Sequence, residues 1–161
     1  MPYLANDNFK CSFVDESFFL TLDKKTPALF AISLNVQGLL SKFERLSSLI
    51  SNLSKIFKPP HLIVLQETWL SKDKHPPCLP NYHPLVHCYR SLDKGDGVGI
   101  YVHEKISFNI NQELSVFADR LFESIAIDIN FHNKKFSVIN LYLLPHLIQQ
   151  IPKLMNYFCQ I

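Results

Sequence analysis

The sequence predicts an α/β fold, and three consecutive patterns between Phe30 and Glu67 predict it. Phe30-Ala31-Ile32-Ser33-Leu34-Asn35 alternates apolar with small or polar residues, the signature of a strand. Leu39, Phe43, Leu46, Leu49, Ile50, Leu53, Ile56 and Phe57 then recur at the three- and four-residue spacing of an amphipathic helix. Leu62-Ile63-Val64-Leu65 follows, four branched or aliphatic residues in a row, as expected of a strand covered on both faces. A strand, a helix and a strand at this spacing form a right-handed crossover unit, which makes the two strands parallel neighbours.

The elements follow in order. Residues 1–28 show no periodicity, end near Lys24-Lys25-Thr26-Pro27, and read as an extension; residues 29–161 carry the domain. Ser41-Lys42-Phe43-Glu44 has the form of a capping box at the start of the helix, and Pro59-Pro60 ends it. After the loop His75-Pro76-Pro77-Cys78-Leu79-Pro80 the pattern shifts to shorter, antiparallel strands. One is expected within residues 82–89, and another at Val98-Gly99-Ile100-Tyr101-Val102 after the turn Asp93-Lys94-Gly95-Asp96-Gly97. Phe122-Glu123-Ser124-Ile125-Ala126-Ile127-Asp128-Ile129 alternates, and a turn at His132-Asn133-Lys134 leads into Phe136-Ser137-Val138-Ile139-Asn140-Leu141-Tyr142. A last helix is expected from near Pro145, with Leu147, Ile151, Leu154, Met155 and Phe158 on one face.

Composition narrows the function classes. The 47% hydrophobic content fits a globular domain, and a formal net charge of +2 is far from the strongly basic footprint of a dedicated nucleic-acid binder. No signal-peptide pattern and no run of ~18 apolar residues is present, which predicts an intracellular protein without a membrane span. Cys11, Cys78, Cys88 and Cys159 are scattered and read as free thiols. Lys42, Arg45, Lys55 and Lys58 read as a solvated helix face.

The chemistry concentrates behind the apolar strand, at Gln66-Glu67-Thr68. Open α/β sheets place their sites at the carboxyl ends of strands, and Asn35 and Glu67 both fall there on adjacent strands. A carboxylate at the mouth of a buried strand requires a cation or donors beside it, and the position points to a hard metal ion, magnesium.

Taken together, three blocks resemble the endonuclease/exonuclease/phosphatase superfamily, and most of all the apurinic-type endonuclease domains of non-LTR (LINE-like) retrotransposons. Ser33-Leu34-Asn35-Val36-Gln37-Gly38-Leu39 looks like the asparagine motif of the first strand, and Leu65-Gln66-Glu67-Thr68-Trp69-Leu70 like the glutamate motif. Gly97-Val98-Gly99-Ile100-Tyr101-Val102 and Asn140-Leu141-Tyr142 look like the glycine hairpin and the tyrosine strand.

The resemblance implies a four-layered α/β sandwich, of which this sequence carries about the first half, and cleavage of DNA phosphodiesters with Mg²⁺ or Mn²⁺. It makes Glu67 the metal ligand, sets Asn35 beside it on metal or phosphate, and gives Tyr142 a phosphate oxygen to donate to. Lys72, Lys74 and Arg90, in loops near the expected mouth, are the residues for backbone phosphates. It also implies a nuclear protein.

The later family motifs, Gly-Asp-x-Asn and the Ser/Asp-x-His type, do not follow the tyrosine strand in this sequence, so the domain reads as truncated at its C-terminal end, with weak or no activity. A first sheet with one face left uncovered is then expected, and self-association through that face. Two readings stay open beside the endonuclease: a phosphatase or nucleotide hydrolase of the same superfamily, and a non-catalytic fragment or interaction module.

Overall fold

The computed structural model describes Thr21 and residues 28–88, 97–118 and 122–143. The first sheet takes β1 (Ala31–Asn35), β2 (Leu62–Gln66), β3 (Val86–Cys88) and β4 (Val98–Val102), in the order β1-β2-β4-β3. The parallel pair β1 and β2 is joined by helix α1 (Leu39–Ile56), the crossover expected from the sequence. Register pairs Asn35 with Gln66, so both strands end at the same rim and deliver Asn35 and Glu67 there.

Side chains alternate across this sheet with period two. Ile63 and Leu65 of β2 and Tyr101 of β4 pack under Leu39, Leu46 and Ile50 of α1. Leu62 of β2 and Val98, Ile100 and Val102 of β4 point the other way. They meet Ile125, Ile127 and Ile129 of a second sheet, so every inward residue of β4 is buried. Burial of each such aliphatic side chain stabilises by about 1.5–3 kcal/mol relative to exposure.

That second sheet is built by β5 (Phe108–Ile110), β6 (Phe117–Ala118), β7 (Phe122–Phe131) and β8 (Lys134–Leu143). Strand β7 lies at its centre, with β8 along one edge and β5 and β6 along the other. The chain therefore covers the first sheet itself, with α1 on one face and the second sheet on the other. This corrects the expectation of an uncovered face on the first sheet. Strands β5–β8 form a sheet that stacks against it, and self-association through that face loses its basis.

The helix start is also corrected. The N-cap is Gly38, with φ +99° and no side-chain cap, and the Ser41 hydroxyl donates to Gly38 O from inside the helix. The N–H groups of Gly38 and Leu39 instead reach the carbonyls of Glu67 and Thr68, both at 2.9 Å. Neighbouring backbone supplies what a capping side chain supplies elsewhere, so no capping box is needed.

The strand expected within 82–89 shrinks to β3, and Tyr82 makes only an isolated bridge to His103. Pro84 between them lacks the N–H that a continuous ladder requires. Strands β5 and β6 were absent from the sequence reading because they are two short pieces without periodicity. Residues 111–116 between them still bind β7, through Asn111 N to Ala126 O and Ser124 N to Val116 O. The turn into β8 is His132-Asn133, with φ of 48° and 62°, the paired left-handed geometry of a two-residue hairpin. The extension, the Asp93–Asp96 part of the glycine turn and the helix expected near Pro145 lie outside the described residues.

Candidate active site

Two loops at the rim are zipped together by their backbones. Val36 N donates to Gln66 O at 3.0 Å, next to the Gly38 and Leu39 bonds just described. Thr68 N donates in turn to Gly97 O at 3.0 Å, tying the loop after β2 to the entry of β4.

Several rim residues pay for this closeness with left-handed backbone: Gln37 (φ 44°), Glu67 (φ 53°) and Trp69 (φ 52°). Non-glycine residues hold such conformations at roughly 1–3 kcal/mol each, and they cluster where function fixes a side chain. Two glycines make the approach possible. A Cβ on Gly97 would stand 2.5 Å from Thr68 Oγ1, and one on Gly38 would stand 2.9 Å from Cε3 of Trp69.

The Glu67 carboxylate is the centre of the rim. Its Oε1 accepts a hydrogen bond from Asn35 Nδ2 at 2.7 Å and another from the Tyr142 hydroxyl at 3.2 Å. Asn35 Oδ1 accepts from Gln37 N at 3.3 Å, which sets the amide so that its NH₂ faces the carboxylate. Glu67 is half-buried and Asn35 exposed, so the group is reachable from solvent. Oε2 makes no hydrogen bond to any described residue.

Two donors on one carboxylate oxygen fix its direction. Such a carboxylate fits a hard divalent cation that keeps several waters and takes further oxygens from a phosphate. Among the described residues, no group of three or more His, Cys, Asp or Glu side chains forms a denser metal cage.

Behind this rim runs a buried polar seam that the sequence reading did not assign. Asn140 of β8 is 1% exposed and reaches across to the first sheet. Its Nδ2 donates to Leu65 O at 2.9 Å and Gly99 O at 3.1 Å, the carbonyls of a cross-strand pair of β2 and β4. Its Oδ1 accepts from Gln66 Nε2 at 3.1 Å, and the same Nε2 donates to Ser33 Oγ at 3.1 Å. Glu123 of β7 is fully buried, and its Oε2 accepts from Gly97 N at 2.7 Å.

A signal for both was present. Asn140 stands two residues before Tyr142, hence on the same strand face, and Glu123 shares the phase of Ile125, Ile127 and Ile129. Polar groups in the apolar phase of a strand are held by partners when buried.

The remaining expected residues divide. Lys72 and Lys74 are exposed in the turn after the Glu67 loop and make no hydrogen bond to Asn35, Glu67 or Tyr142. Arg90 lies outside the described residues. Trp69, 47% exposed, flanks the rim and was not among the expected site residues.

A carboxylate held by an amide and a phenol at the rim of a two-sheet α/β sandwich is the class of site that fold and geometry define. Residues 32–149 match the model of the Endonuclease/Exonuclease/phosphatase family, and the chain belongs to that family. Its members generally use divalent metal ions.

Among solved structures, the chain is similar to the 3' phosphatase NExo from Neisseria bound to product DNA hairpin. That match has 22% identity and a TM-score of 0.42, and covers 68% of this chain and 40% of that one. A humanized TDP2 of D. rerio matches at 19% identity and TM-score 0.49, covering 82% of this chain and 58% of that one. The sequence thus spans less than two thirds of either structure's chain. No curated protein matches the sequence.

Proposed function

We propose that this chain carries the metal-binding half of a Mg²⁺-dependent phosphodiester hydrolase that nicks DNA, of the kind found in LINE-like retroelements. One observation carries the reading: the Asn35 amide and the Tyr142 hydroxyl, far apart in sequence, both donate to Glu67 Oε1.

Glu67 would hold the metal through its open oxygen, and the metal supplies charge stabilisation at a phosphate and its leaving oxygen. Asn35 holds the carboxylate in place and offers its amide at the mouth. Tyr142 supplies a preorganised O–H beside the position a phosphate oxygen takes. Lys72 and Lys74 are the cations for flanking phosphates, and the exposed ring of Trp69 offers a face on which a base stacks. The substrate is nuclear DNA inside the cell. Motif form supports DNA over a small ester, through the Trp69 version of the glutamate block and the glycine strand from Gly97.

After Tyr142 the sequence has no Gly-Asp-x-Asn or Ser/Asp-x-His motif to supply an attacking-water base, and its one Asp-x-His triplet, Asp73-Lys74-His75, stands directly behind the glutamate block instead. Loss of a general base lowers rate by about 10²–10⁴-fold, so this chain is expected to bind metal but turn over below about 1% of a relative that has both motifs. The test is nicking of supercoiled plasmid with Mg²⁺, wild type against Glu67→Ala, run beside phosphate release from small esters. Trace nicking that vanishes in the variant and with chelator supports the reading. Phosphate release without nicking transfers the site to a phosphatase. Nicking unchanged in the variant overturns it.

A further inference from the structure

At the end of the sandwich away from Glu67 lies a cavity of about 360 Å³. His61 directly precedes β2 and Glu67 directly follows it, six residues on, so the two ends stand roughly 20 Å apart at ~3.3 Å per residue. Lys58, His61, His103, Lys105 and His132 line this cavity together with Asn130, and among the described residues no acidic side chain does. These side chains come from the segment after α1, from the end of β4 and from the β7–β8 turn. The fold, and no sequence motif, gathers them.

The imidazoles are arranged as donors. His61 Nδ1 accepts the Phe30 N–H at 2.8 Å, and His103 Nδ1 accepts the Lys105 N–H at 3.2 Å. A neutral ring that accepts at Nδ1 carries its proton on Nε2. Neither Nε2 hydrogen-bonds to any described residue. The rings are also wedged into place: His61 meets Phe131 edge-on at 5.0 Å, and His103 meets Tyr82 at 5.3 Å. Lys58 stands over the Phe57 ring, and its Nζ donates to Ala28 O at 3.3 Å.

We propose that this cavity is a binding site for a tetrahedral dianionic oxyanion, phosphate or the phosphate of a small monoester, held by His61, His103 and His132 with Lys58 and Lys105. Two fixed Nε2–H donors and two ammonium groups around a cavity whose described lining holds no acid match a ligand with several acceptor oxygens and charge near −2. Mutual repulsion supports this. Burial first, then Lys58 and His103, hold His61 below its usual pKa, with a smaller contribution from His132 and against an opposing effect of the Phe30 backbone hydrogen bond. Burial first and then Lys105 do the same to His103, against an opposing effect of Glu104 that outweighs the smaller contribution of His83. An anion seated among them reverses these repulsions, so it binds more tightly as the two rings protonate. The site is independent of Glu67 and of metal.

The experiment follows the histidine ring signals of the full chain by NMR in metal-free buffer. Sulfate is titrated near pH 6 and near pH 8, because it stays dianionic at both and any pH effect then belongs to the protein. Saturable shifts at His61 and His103, with affinity about tenfold higher at the lower pH, are the expected result. Inorganic phosphate and a nucleoside monophosphate are compared next. Binding of both places recognition in the phosphate group, and binding of phosphate alone restricts the site to the free ion.

The Lys58→Gln/Lys105→Gln double variant changes side chains at the surface and is expected to weaken sulfate about tenfold or more. His132→Asn, which keeps a residue suited to φ 48°, weakens it severalfold. Glu67→Gln leaves it unchanged. Shifts that never saturate, an unweakened double variant, or loss of binding in Glu67→Gln overturns the proposal.

Discussion

Replacing Asn140 by alanine tests what ties the two sheets together beneath the site. The side chain makes three hydrogen bonds, to Leu65 O, Gly99 O and Gln66 Nε2, and is 1% exposed. A net ~1 kcal/mol for each bond gives a loss of about 3 kcal/mol, to which unsatisfied carbonyls and a small void add. For a chain of this length that corresponds to a fall in Tm of about 6–12 °C, at ~2–4 °C per kcal/mol. Urea denaturation followed by circular dichroism measures it, with a lower midpoint at unchanged slope as the expected form.

Ser137→Ala is the control: its exposed hydroxyl donates to Asp128 Oδ1 at 2.7 Å, and its loss should stay within about 0.5 kcal/mol. Asn140→Asp, nearly isosteric but without the NH₂ donors, should be at least as damaging as alanine because a carboxylate then faces two carbonyls. A loss below about 1 kcal/mol in Asn140→Ala, or one no larger than that of Ser137→Ala, refutes the assignment of Asn140 as an inter-sheet tie.

Further outcomes follow from the same geometry. Gly97→Ala combines a φ of +91° with a Cβ 2.5 Å from Thr68 Oγ1, so it should destabilise by more than ~1 kcal/mol in thermal melts and weaken metal binding at the neighbouring Glu67. Glu67→Gln should abolish Mn²⁺ binding measured by calorimetry. Tyr142→Phe, which removes one donor to the carboxylate, should weaken that binding only severalfold while leaving stability within about 1 kcal/mol. His61 and His103 titrate in the folded protein below the 6.5 of the unfolded chain, so the folded state takes up fewer protons in that range. Their contribution to stability is therefore present above pH 6.5 and is lost as pH falls from about 6.5 through the lowered values, and unfolding midpoints measured across that window should decline. Sulfate should restore part of the loss if the cavity they line binds it.

Local pattern determined a definite share of this protein. The alternation before Asn35, the three-four spacing from Leu39 to Phe57 and the apolar run before Gln66 specified the β1-α1-β2 unit. With it came the placement of Asn35 and Glu67 at one rim, because a crossover of that length leaves two strands parallel and adjacent. The His132-Asn133 turn was equally local, since two left-handed residues set the hairpin and its register.

Other features belong to the tertiary structure alone. Alternation along Phe122–Phe131 shows that the strand has two faces, not which surface each face meets, and so the closing of the second sheet over the first was missed. Tyr142 meets Glu67, and Asn140 meets Leu65, each across a separation of 75 residues. The Gly38 cap depends on carbonyls of another strand's loop, and the basic cavity around His61 on three separate segments. Period and propensity act over a few residues, whereas these contacts are fixed by how whole sheets stack, and only the packed chain decides that.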